Sequence, residues 1–110
     1  MSSIPNKFWI YVIELKGDVA DVPKFRRVNP DMNPALPCFY VGSTALTPEG
    51  RFATHKTDKR SAVLSRDYGV CLRPDLYSGI RPRKSRAKAE EREKRLAEDL
   101  RAKGHGVWQK

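Results

Sequence analysis

The chain of 110 residues has little cysteine and little histidine, two of each. Cys38 and Cys71 are too few for a disulfide framework, and their spacing fits neither a redox Cys-x-x-Cys nor a zinc motif. They read as reduced, mostly buried thiols. Long apolar runs are missing as well, since nothing approaches the roughly 18 residues of a membrane span. The opening MSSIPNKFWIYVIEL lacks the charged, apolar and small-residue succession of a signal peptide. These absences predict an intracellular, cytoplasmic protein with no membrane partner. At this length one domain, 1–110, is expected, because a second full core would not fit.

Acidic charge is scarce too, but only in one half. Residues 1–50 balance five basic side chains against five acidic ones, whereas residues 51–110 carry 17 basic and 8 acidic, so the whole formal net charge of +9 lies there. Such a surface attracts polyanions, because neutralising phosphates releases their condensed counterions. Nucleic acid is the first partner to consider, and a merely solvated basic face is the alternative.

Phe8–Leu15 (FWIYVIEL) is apolar on both alternating faces and rich in aromatic and β-branched residues, which predicts a central strand covered on both sides. Gly17–Pro37 contains Pro23, Pro30, Pro34 and Pro37 and reads as a long Pro-rich loop, more spacer than substrate contact. Cys38–Gly42 (CFYVG) predicts a second strand, with Cys38 and Tyr40 on one face. Thr47-Pro48-Glu49 has the form of a helix start, a hydroxyl cap followed by Pro and an acid. A helix over about 48–57 would project Arg51 and His55 from one side. Ser61–Tyr68 suggests a short helix stopped by Gly69, and Val70–Arg73 a third strand ended by Pro74. Ser85 offers a cap for a basic C-terminal helix over about 86–103, with Gly104 at its stop.

On that last helix, at about 100° per residue, Ala89, Leu96, Ala97 and Leu100 fall within about 60° of Glu93. One acid therefore sits in the middle of the apolar stripe, while Glu91, Glu98 and Asp99 face water. A carboxylate buried alone is costly, so it normally shifts its pKa, pairs or holds a metal.

Taken in order, Trp9-Ile10-Tyr11, Tyr40-Val41-Gly42, Arg51 with His55, and Glu93 in an apolar helix resemble the GIY-YIG nuclease family. The resemblance runs from about Phe8 to Trp108. It implies an α/β (α+β) domain built on a small three-stranded antiparallel sheet flanked by helices. It further implies a metal-dependent endonuclease that hydrolyses DNA phosphodiester bonds. Tyr11 and Tyr40 would be the family's tyrosines, with Tyr40 the preferred base. Arg51 would stabilise charge on the scissile phosphate, and Glu93 would hold Mg²⁺ or Mn²⁺. His55 would hydrogen-bond the tyrosine or the phosphate, with a surface histidine an equal alternative. A phenol is a weak base at neutral pH, so a nearby cation is expected to lower its pKa.

The chain departs from the family pattern at Trp9, which stands at the first glycine, and in the 29 positions between Tyr11 and Tyr40. The family's C-terminal asparagine position is unfilled, with His105 a weak substitute. The stretch holding Arg81, Arg83, Lys84, Arg86 and Lys88 would grip a phosphate backbone, giving affinity more than sequence selectivity. RNA stays open beside DNA. With no appended recognition domain expected, loops, DNA structure, a homodimer or a partner protein would supply specificity. The competing readings are a non-catalytic nucleic-acid-binding module of the same fold, and a protein-interaction domain that docks through its C-terminal helix.

Overall fold

Seven residues of mixed aromatic and β-branched character, Trp9–Leu15, form strand β1, and its side chains from Ile10 to Ile13 are buried. β1 is covered on both sides, as its unbroken apolar run predicts. The computed structural model describes residues 7–45, 47–57 and 63–109, apart from the side chains of residues 54–57, 63 and 65. β2 (Cys38–Thr44) runs antiparallel to β1 and pairs Tyr11 with Gly42 and Ile13 with Tyr40. It is buried throughout and extends two residues past the predicted Gly42.

β3 (Gly69–Leu72) pairs antiparallel with the far edge of β1, one residue earlier than its sequence suggests. The sheet is not limited to three antiparallel strands. β4 (Gly106–Gln109) adds to β2 in the parallel sense and gives the order β3-β1-β2-β4. The molecule is thus an α+β fold on a four-stranded mixed sheet.

Residues 17–37 are not a spacer. A 3-10 turn at Gly17–Asp21 buries Val19, and helix α1 (Pro23–Val28) buries Phe25. Proline was misleading here because Pro23 stands in the first turn of α1, where its missing N–H costs nothing. Asn29, which follows, is buried and fully bonded. Its Nδ2 donates to Phe25 O (2.9 Å) and Val107 O (3.0 Å), and its Oδ1 accepts from Val107 N (2.9 Å) and Arg101 Nε (3.1 Å). The side-chain amide therefore pairs with β4 much as a neighbouring strand would.

Helix α2 (Pro48–Thr57) begins as its sequence predicts, with Thr47 Oγ1 accepting from Gly50 N at 3.1 Å. It packs on β1 and β3. Helix α3 (Val63–Tyr68) follows and buries Leu64; residues 61 and 62 of its predicted span lie outside the described residues. Helix α4 (Arg86–Ala102) is capped by Ser85, whose Oγ accepts from Lys88 N at 3.2 Å, and Gly104 ends it at φ 100°. α4 buries Ala89, Glu93, Leu96, Ala97 and Leu100 against β2, β4 and β1, so its apolar stripe is spent within its own chain. That leaves little for the reading in which this stripe docks on another protein. Among the described residues, no helix is long and apolar enough to cross a membrane. Cys38 is buried as expected, but Cys71 is exposed on the edge strand β3.

Candidate active site

Strand pairing brings the two tyrosines together. Tyr11 lies opposite Gly42, and Tyr40 opposite Ile13, so alternation sets both phenols on one face of the sheet. Their ring centroids are 6.2 Å apart. The Tyr11 ring folds across its partner Gly42, where a Cβ would stand 2.6 Å from Oη and 2.8 Å from Cζ. Only glycine leaves room for the ring there. A glycine inside a strand often marks such a close approach, and that was the available signal for Gly42.

The phenols are hydrogen-bonded to each other, and Arg51 on the first turns of α2 hydrogen-bonds Tyr11. Burial, the largest cause, raises both phenol pKa values. Tyr11, wholly inaccessible to solvent, is pushed furthest, with the neighbouring Tyr40 adding to the rise and Arg51 opposing it. Tyr40, 1% exposed, is pushed up to about 12; the hydrogen bond from Tyr11 and the charge of Arg51 pull it down, and Glu93 pushes it up. The expected lowering by a nearby cation is therefore present in sign but outweighed by desolvation. Within the pair Tyr11 is the donor and Tyr40 the acceptor, a hydrogen bond that favours the Tyr40 phenolate.

Glu93 is 1% exposed, as the helical stripe predicts. Its Oε2 accepts a hydrogen bond from Ser43 Oγ, on the residue after Gly42 in β2. The influence of Glu93 on Tyr40 puts the carboxylate within electrostatic reach of that phenol. Ser43 is a contributor that sequence reasoning missed, because a lone serine at the end of an apolar run carries no signal of its own.

The structure thus gathers Tyr11, Tyr40 and Arg51, with Glu93 within electrostatic reach of Tyr40 and held by Ser43, whose position in β2 alternates with that of Tyr40. The backbone of His55 lies one turn after Arg51 on α2, and its side chain is outside the described residues. His105 plays no part here: its Nδ1–H donates to Pro37 O at 2.8 Å and its ring meets Phe39 at 4.8 Å between centroids. Trp108 is half-buried in β4, with Lys24 Nζ 5.6 Å from its ring centre.

The basic stretch is split in its roles. Arg81, Lys84, Arg86 and Lys88 are exposed, whereas Arg83 is half-buried and its backbone pairs with Phe8 through two hydrogen bonds of 2.7 and 2.9 Å. The Arg86 guanidinium lies 5.1 Å from the Phe8 ring centre.

Among the described residues, no group of three or more His, Cys, Asp or Glu side chains forms a ligand set. The oxygen donors that are present suit a hard cation. A carboxylate with a hydroxyl and two phenols nearby matches Mg²⁺ or Mn²⁺, which accept one or two carboxylates and otherwise keep water or phosphate oxygens. No family model, curated protein or solved structure matches the chain.

Proposed function

We propose that the chain is a metal-dependent endonuclease of the GIY-YIG type that hydrolyses DNA. The observation that carries this reading is the convergence of a hydrogen-bonded phenol pair, Arg51 and an inward-facing Glu93 from four separate elements. Tyr40, which accepts a hydrogen bond from Tyr11, would serve as the base toward the attacking water once a bound cation offsets the burial that raises its pKa. Arg51 supplies positive charge beside the phenols, where a non-bridging phosphate oxygen gains charge during attack. Glu93 holds the divalent cation, and Ser43 fixes the carboxylate's orientation. When bound, Mg²⁺ or Mn²⁺ supplies Lewis acidity toward the phosphate. His55 assists at the phenols or the phosphate.

The near-complete burial of both phenols and of Glu93 favours a second reading, a nucleic-acid-binding module that keeps the fold without cutting.

Supercoiled plasmid incubated with Mg²⁺ or Mn²⁺ separates the two. Nicking that falls at least about 100-fold in Glu93→Gln, with the variant folded, supports the nuclease, a loss in line with removing one key electrostatic group. Equal activity in both proteins removes Glu93 from the mechanism. Salt-sensitive binding with no cleavage under either metal supports the module.

A further inference from the structure

The outer flank of α4 holds a second feature, separate from the phenol cluster. A cleft of about 410 Å³ is lined by Arg83, Lys88, Glu91, Arg92 and Arg95, and by no apolar side chain. Four cations thus face one carboxylate. Among the described residues, Nη1 of Arg92 is buried and has no hydrogen-bond partner. A guanidinium N–H held out of water without an acceptor is costly, and four cations around one carboxylate leave the cleft short of the negative charge that an anion would supply.

We propose that Arg83, Lys88, Arg92 and Arg95 form a phosphodiester-binding cleft that takes the backbone of a nucleic-acid strand. The proposal rests on the nucleic-acid reading above and specifies where the strand lies. Lys88, Arg92 and Arg95 stand at helical spacings of four and three, so they line one flank of α4. Their span of seven residues is about 10 Å, the rise of about three nucleotides. Arg83 closes the cleft from the segment before α4, its Nη1 donating to Arg81 O at 2.7 Å and its backbone tied to Phe8 just ahead of β1. Glu93 points from the opposite side of α4 into the sheet, so a strand held here is gripped on the solvent flank of the helix that carries the candidate metal ligand. A membrane surface fits less well, because a concave lining made only of charged side chains offers nothing apolar to insert. Of the four cations, the basic stretch in the sequence exposes only Arg83 and Lys88. Arg92 and Arg95 sit among acids on α4 and look like ordinary helix-surface charges.

The test is fluorescence anisotropy of a labelled 20-base-pair DNA duplex with the full chain in EDTA, over a range of NaCl. Arg92→Gln/Arg95→Gln is compared with Arg26→Gln/Arg27→Gln on α1, which removes the same charge elsewhere. The cleft variant should bind at least tenfold more weakly and lower the salt slope by about two, near 0.9 for each lost phosphate contact. The α1 variant should change affinity less than threefold. Glu91→Gln should tighten binding, an effect that a purely structural role for the cleft would not produce. Arg92→Lys/Arg95→Lys, which keeps the charge, should recover most of the affinity and guards against a folding defect. The proposal is overturned if the α1 variant loses as much as the cleft variant. It is also overturned if the slope is unchanged, if wild type fails to bind, or if these residues govern binding to phosphatidylserine vesicles but not to DNA. Cleft-dependent binding without cleavage would sink the nuclease reading alone. Glu93-dependent cleavage with binding indifferent to the cleft would sink this proposal alone.

Discussion

Gly42→Ala is the most informative small perturbation of this molecule. An added methyl would lie 2.6 Å from Tyr11 Oη and 2.8 Å from Cζ, well inside van der Waals contact and against a ring rather than a flexible chain end. Tyr11 is completely buried between Arg51 and Tyr40, so its ring cannot swing away without breaking its hydrogen bonds to both. Overpacking alone costs about 1–3 kcal/mol. Forfeiting a buried hydrogen bond adds about 1 kcal/mol. A total near 3 kcal/mol corresponds to a fall in Tm of more than about 10 °C for a domain of this size. Thermal and urea unfolding followed by circular dichroism measure it, and the near-ultraviolet tyrosine signal should change with it. Tyr11→Leu then serves as the partner in a double-mutant cycle. With the ring gone, Gly42→Ala should cost far less, leaving a coupling of at least about 1 kcal/mol. Full additivity, or a Gly42→Ala protein with unaltered Tm, would refute the claim that this glycine exists to admit the ring.

Two further outcomes follow from buried polar groups. Asn29→Ala removes all four hydrogen bonds of the amide and strands the buried Val107 N–H, so it should cost about 2–4 kcal/mol and speed exchange of the Val107 amide. Wild-type exchange at Val107 in the variant would contradict it. Tyr40 ionises near 12 when folded and near 10 when unfolded, so the unfolded chain releases its proton first as pH rises. Stability is therefore unaffected below pH 10 and falls between pH 10 and 12 by an amount on the order of 2–3 kcal/mol from this group, with Tyr11 adding loss of the same sign. Spectrophotometric titration near 295 nm should show both phenols still protonated at pH 11 while the chain remains folded. Their ionisation below pH 10 in the folded protein would overturn the desolvation argument.

Elements whose own residues carry a period were readable. β1 and β2 announce themselves by aromatic and β-branched runs, α2 by Thr47-Pro48-Glu49, and α4 by its stripe, which also picks out Glu93 as the inward-facing acid. Elements defined by partners far along the chain were not. β4 is four residues long, and its pairing with β2 is parallel and non-local, so nothing within Gly106–Gln109 marks it as a strand. α1 hides behind a proline that breaks a helix in most positions and starts one here. Asn29 carries no local sign that its amide spans to Val107, 78 positions away. At the site, residue types and order bring Tyr11, Tyr40, Arg51 and Glu93 into view, whereas the Ser43 contact and the dominance of burial over nearby positive charge depend on three-dimensional packing.

The amide of Asn29 has one more effect. A sheet ends in a row of unsatisfied peptide groups, and such a rim is where separate molecules zip together into aggregates. At Val107 both of those groups are already spoken for, by a side chain from the molecule's own body and by Arg101 behind it. One outward-facing residue of this border is thereby closed by a single carboxamide, which removes Val107 as a point where a second chain could pair.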